Sequence, residues 1–128
     1  MNSHVIHLAF AVLVACIISA CSGDVHGVVQ PPTYSDANVA AGRRLIASYG
    51  CGSCHRIPGI SGADSLVGPS LERIASRVYI AGHLVNEPNT MIAWIRDPKH
   101  LRSPTAMPTM GVTEQEGRDI AAYLYTLK

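Results

Sequence analysis

Apolar residues in this chain fall into separate blocks, and their spacing changes from block to block. From Leu8 to Ala20 every position is apolar except Ser19. Residues 22–35 (SGDVHGVVQPPTYS) are rich in Gly, Pro and Ser and follow no sustained period, as expected of a linker. Helical spacing begins after it. Ser35 or Asp36 can cap a helix over roughly 37–48 whose apolar positions include Val39, Leu45, Ile46 and Tyr49. Asn86-Glu87-Pro88 reads as a cap followed by a first-turn proline. It opens a helix carrying Met91, Ile92, Trp94 and Ile95, which Asp97-Pro98 should stop. Thr113-Glu114-Gln115-Glu116 is a capping-box pattern, and behind it Ile120, Tyr123, Leu124 and Leu127 share one helical face. A shorter helix is predicted near residues 70–76. Gly and Pro punctuate the rest and no alternating strand pattern stands out, so the predicted class is all-α with long loops.

The first block is too short for a bilayer, which needs about 20 apolar residues, but suits the apolar core of a signal peptide. It ends in Ile18-Ser19-Ala20-Cys21, which resembles the lipobox of bacterial lipoproteins. That resemblance implies cleavage before Cys21 and lipidation of its thiol and new amine. The expected organisation is therefore a signal peptide over 1–20, a lipid-anchored tether over 21–35 and a folded domain over 36–128. A flexible tether of that kind spans about 20 Å on average. Met1–His7 holds no Lys or Arg, so an uncleaved anchor reaching back to Val5 is the alternative.

The 128 residues suit one domain, and a formal net charge of +1 gives no field that would favour nucleic acid. Four cysteines are present. With Cys16 in the leader and Cys21 the candidate lipid site, Cys51 and Cys54 remain for chemistry, so a four-cysteine zinc site is excluded.

Those two belong to Cys51-Gly52-Ser53-Cys54-His55. Cysteines three positions apart face the same side of a helical turn, where both sulfurs can form thioethers with the vinyl groups of one haem. The adjacent histidine is then placed to reach the iron. This is the c-type haem attachment pattern. A thioredoxin-like pair would need a βαβ setting that the chain lacks. A zinc half-site would have to draw on His83, His100 or carboxylates. Export favours haem.

With the flanking segments, the chain resembles class I cytochromes c over nearly all of the folded domain. The similar segments are Gly68-Pro69-Ser70-Leu71, Tyr79-Ile80-Ala81-Gly82, Trp94-Ile95-Arg96-Asp97-Pro98, Thr105-Ala106-Met107-Pro108 and Ala121-Ala122-Tyr123-Leu124. The resemblance implies a cytochrome c fold, with first and last helices crossing around one covalent haem c. It implies Cys51 and Cys54 as attachment points, and His55 and Met107 as axial iron ligands. A thioether opposite His raises the haem potential and leaves no open coordination position. Met107 lies in a loop stiffened by Pro104 and Pro108, which suits a weak ligand that must be held in place. Met110 is the alternative ligand and Met91 reads as helix packing.

Pro69 matches the family proline whose carbonyl receives the axial histidine's hydrogen bond. Arg77, Tyr79 and Trp94 match positions lining the pocket or near the propionates, although an Arg there can equally be solvated. Gly42 and Tyr123 match the contact where the terminal helices cross. His26, His83 and His100 read as surface residues, with His83 the next candidate ligand. The single Phe, Phe10, lies in the leader and there is one Trp, so the core is thin without a haem. Between Arg43 and Arg102 basic residues outnumber acidic ones eight to four, a bias that could steer an acidic partner or simply be solvated.

The implied function is single-electron transfer without enzymatic turnover, between redox proteins such as a donor complex and a terminal oxidase or reductase. The expected location is the periplasmic face of a bacterial membrane, reached through the lipid anchor; a soluble periplasmic protein is the alternative. No nucleic acid and no small-molecule substrate are expected. A haem enzyme or gas sensor with an open iron, or an electron-entry subunit of a larger oxidase, are the competing readings.

Overall fold

The computed structural model describes residues 36–128. The signal peptide over 1–20, the tether over 21–35, Cys21 and the Ser35 cap expected above lie outside the described residues. Among those described, no helix is long and apolar enough to cross a membrane.

Among the described residues, four α-helices and one very short hairpin are the main regular elements: α1 (Val39–Ser48), β1 (Tyr79–Ile80), β2 (Leu84–Val85), α2 (Pro88–Arg96), α3 (Pro98–Leu101) and α4 (Glu114–Leu124). The all-α expectation holds, and the local details differ in four places. Asn38, rather than Ser35 or Asp36, caps α1, its side chain accepting from Ala41 N at 2.9 Å. The helix expected over 70–76 contracts to a 3₁₀ turn, Ile74–Ser76, because Arg73 adopts a left-handed conformation (φ +53°) that ends any helix running through it. Tyr79 and Ile80 pair antiparallel with Val85 and Leu84. Finally, Pro98 not only follows the end of α2 but opens α3, where its fixed φ suits the first turn.

The core forms where α1 meets α4. Ile46, Ile120, Ala121, Tyr123 and Leu124 are buried there. The Thr113–Glu116 capping box is complete and aims α4 at this contact. Gly42 marks the closest approach, because a Cβ added to it would overlap the carbonyl of Asp119. Two polar links lock the crossing: Asn38 N donates to Asp119 Oδ1 at 2.8 Å, and Tyr49 Oη to Glu116 Oε2 at 2.9 Å. Tyr123, expected at the crossing, is buried and donates its hydroxyl to Pro58 O at 2.7 Å. Leu127 lies beyond the end of α4 and is packed against the core from there.

Candidate functional site

The site begins at the end of α1. Gly50 takes the left-handed conformation (φ +67°) that L-residues with a Cβ avoid, and the chain turns out of the helix. Cys51–Ser53 form a 3₁₀ turn, and the amides of Cys54 and His55 both donate to Cys51 O, at 3.2 and 3.0 Å. Both thiols are half-buried and neither is in a disulfide. Burial raises the Cys51 thiol above its ordinary pKa, with the nearby Cys54 adding to the shift, and this keeps it protonated. Gly52 packs closely on a neighbouring loop: a Cβ there would lie 2.8 Å from Ala63 Cβ.

His55 is bracketed by backbone bonds on both sides. Gly68 N donates to Cys54 O at 2.7 Å and Leu71 N donates to Arg56 O at 2.8 Å. Between these rungs the ring's Nδ1 lies 2.7 Å from Pro69 O. A carbonyl only accepts, so Nδ1 carries the proton, and of the two neutral tautomers this bond selects the one whose Nε2 holds the lone pair. Gly68 gives the ring its seat, since a Cβ at 68 would lie 2.6 Å from Cε1 and 2.8 Å from Nδ1. Nothing in the Gly68-Pro69-Ser70-Leu71 segment itself singles out Gly68; its importance comes from the imidazole packed on it.

The other candidate residues divide. Arg77 donates through Nη2 to the carbonyls of Ser70 and Glu72, and so closes the loop after the histidine seat. Tyr79 is 57% exposed on β1, and Trp94 is partly buried against the core. Met91 is buried in the core as packing. Met107 is partly buried, its amide donating to Thr105 Oγ1 at 3.3 Å, whereas Met110 is 43% exposed.

Asn86, which reads in sequence as a helix cap, is engaged elsewhere. Its side-chain amide donates to Ile74 O at 2.8 Å and to Arg77 O at 2.7 Å, and its Oδ1 accepts from Tyr125 Oη at 2.8 Å. It therefore ties the 70–78 loop to the C-terminal end. Glu87 occupies the cap position of α2 without a side-chain capping bond.

These residues fit a planar macrocycle bearing two vinyl groups and an iron. Two thiols sit one turn apart, a soft donor loop lies between α3 and α4, and an imidazole is oriented by a carbonyl. Leu66, Val67, Val78, Tyr79 and Val85 expose large apolar surface in the segments that follow the histidine. Among the described residues Tyr123 is the one aromatic ring in the buried hydrophobic core, and the largest fully buried side chains are Ile46, Ile57 and Pro98.

The family model described as Cytochrome c matches residues 39–128. The chain is 31% identical over 97 residues to cytochrome c-551 of Ectopseudomonas mendocina, covering 70% of this chain and all of that protein. It is also 34% identical over 101 residues to cytochrome c oxidase subunit 2 of Alkalihalophilus pseudofirmus, covering 78% of this chain. It spans only 28% of the length of that subunit.

Proposed function

Because the chain belongs to the cytochrome c family, a family mainly of electron carriers with covalent haem c, we propose that it is a single-electron carrier with His/Met axial ligation. Bound haem c supplies a one-electron iron couple. Cys51 and Cys54 hold it by thioether bonds, and His55 and Met107 fill the two axial positions.

The observation that carries this reading is the His55–Pro69 bond. A ring whose Nδ1 proton is engaged by a carbonyl has a fixed orientation and a more basic Nε2, as an iron ligand requires. Partial burial of Met107 supports it as the second ligand over the exposed Met110. With both positions taken by protein atoms, small oxidants find no open site, and the protein changes oxidation state with little rearrangement. That favours a carrier over an enzyme.

The partners in this reading are redox proteins, a donor complex and a terminal oxidase or reductase. The likeness to part of an oxidase subunit supports an electron-entry role beside such a complex. Residues 1–20 act as a signal peptide, Cys21 carries the lipid, and residues 21–35 tether the domain on the periplasmic side of a bacterial membrane. A tether of that kind raises the domain's effective concentration near membrane partners.

Intact-mass measurement on the exported protein tests the attachment. The wild type carries one haem that denaturant does not extract. Cys51→Ala with Cys54→Ala carries none. Free thiols at both positions in the wild type would overturn the proposal. Palmitate labelling that is lost in Cys21→Ala tests the anchor separately.

A further inference from the structure

The loop between α3 and α4 bears Met107, yet among the described residues no backbone–backbone hydrogen bond is made by residues 103–111. Side chains hold it instead. At its start, the Arg102 guanidinium donates through Nη1 to Ala81 O in the turn between β1 and β2. At its far end, Thr109 Oγ1 lies 3.3 Å from Asp97 Oδ1 at the junction of α2 and α3. The second contact is long for a hydroxyl bond, and its carboxylate oxygen is shared with His100 N at 3.3 Å. The Arg102 contact is the stronger fastening.

Its receiving end is the tight loop of the hairpin. Ala81 adopts φ +49°, a conformation L-residues rarely take, and Gly82 follows at φ +91°. A Cβ at 82 would lie 2.6 Å from Arg102 Nη1 and 3.4 Å from Cζ, so the guanidinium lies directly on the glycine backbone. Successive positive φ angles suit the tight loop that joins β1 to β2, and the carbonyl this loop presents is the one Arg102 reaches. Backbone strain of this kind persists where the surrounding contacts impose it.

We propose that Arg102 is a positioning residue. It straps the Met107 loop to the β1–β2 hairpin and so fixes how firmly the Met107 thioether stays in place. This rests on Met107 being an axial ligand. Loss of the strap frees the start of the loop, raises the population in which the thioether has swung away, and opens that position to added ligands in proportion.

The test uses the haem-loaded protein and imidazole as the competing ligand. In Arg102→Ala, the imidazole concentration for half-saturation falls about tenfold, equivalent to about 1.4 kcal/mol in the opening equilibrium. The weak far-red sulfur-to-iron band of the oxidised form loses intensity in parallel. Arg102→Lys keeps the charge but not the fork, and shifts the same way by a smaller factor. If Arg102→Ala does not accumulate as holoprotein, Arg102→Lys carries the test. An unchanged imidazole affinity with an intact far-red band in both Arg102 variants overturns the strap. Absence of that band in the wild type overturns the Met107 ligation beneath it, so the two failures are distinct.

Discussion

The Nδ1 atom of His55 and the carbonyl oxygen of Pro69 are 2.7 Å apart, and the ring they fix rests on a glycine, Gly68, that leaves no room for a methyl group. Backbone rungs from Gly68 to Cys54 and from Leu71 to Arg56 enclose the same ring. The donor is thus set by main-chain atoms on three sides.

Gly68→Ala follows from that seat. Its Cβ would come 2.6 Å from Cε1 of the imidazole, so either the ring or the 68–71 segment must shift. Overpacking of this kind costs about 1–3 kcal/mol. The holoprotein of Gly68→Ala should melt earlier and show a changed reduction potential, because the histidine's orientation sets its donation to the iron. A potential and melt indistinguishable from the wild type would show that the ring does not rest there.

The two loop methionines separate cleanly. Met107→Ala should abolish the far-red band and let the reduced protein bind carbon monoxide. Met110→Ala, which removes a side chain 43% exposed, should do neither. The reverse outcome would move the ligand three residues along the chain.

At the helix crossing, Gly42→Ala sets two effects against each other. Alanine gains about 1 kcal/mol of helix propensity over glycine. The new Cβ, however, would overlap the backbone carbonyl of Asp119, and backbone cannot swing aside as a flexible side chain does. The steric cost should win, separating α1 from α4 and lowering the melting temperature by about 5–10 °C. A rise in melting temperature would mean that the helices have slack at this point.

Much of this was legible beforehand because it is local. The Thr113–Glu116 box needs only four consecutive residues, and the Cys51–His55 turn only five. What escaped the sequence was decided by distant partners. Asp36 and Asn38 are both capable caps, and the choice falls on Asn38, whose amide bonds to Asp119 in the last helix. Asn86 has the chemistry of a cap, but three partners from Ile74, Arg77 and Tyr125 claim its side chain. The β1–β2 hairpin contributes two residues per strand, too few for an alternating period to register. Nothing adjacent to Arg102 marks it as a strap; the strained Ala81 that receives it lies 21 residues away.

Glu116 gives a pH signature. The hydroxyl and amide of Thr113 and the Tyr49 hydroxyl all donate to its Oε2, and together they hold its pKa below the ordinary carboxylate value. A depressed folded pKa contributes stability that is present above the unfolded value, about 4.3, and is lost as pH falls through the folded one. Tyr49 is shifted the other way, raised chiefly by its bond to Glu116, so its share is present below about pH 10 and is lost above it. The stability difference between wild type and Glu116→Gln should therefore be flat near neutrality and shrink below about pH 4.3. Denaturant titrations at several pH values measure it. A difference that stays constant down to pH 3 would remove Glu116 from the crossing's electrostatics.

Without its macrocycle the chain has a thin core. Among the described residues, every buried hydrophobic residue of the core apart from Tyr123 is Ile, Ala, Met, Val or Leu, and the largest fully buried side chains are Ile46, Ile57 and Pro98. Leu66, Val67, Val78, Tyr79 and Val85 meanwhile stand exposed. A domain of this size buries only about 60–70% of the surface its unfolded chain exposes, and ordering each residue costs about 1.5 kcal/mol. A core of small aliphatic side chains leaves little surplus over that cost. A large flat apolar group packed on the exposed residues changes the balance, and fastening it through Cys51 and Cys54 prevents its loss on transient opening. Protein made with Cys51→Ala and Cys54→Ala should therefore show weak helical circular dichroism at 25 °C and no cooperative melt, while the haem-bearing wild type melts in one sharp step. A cooperative, native-like melt of the haem-free chain would show that the contact between α1 and α4 suffices by itself.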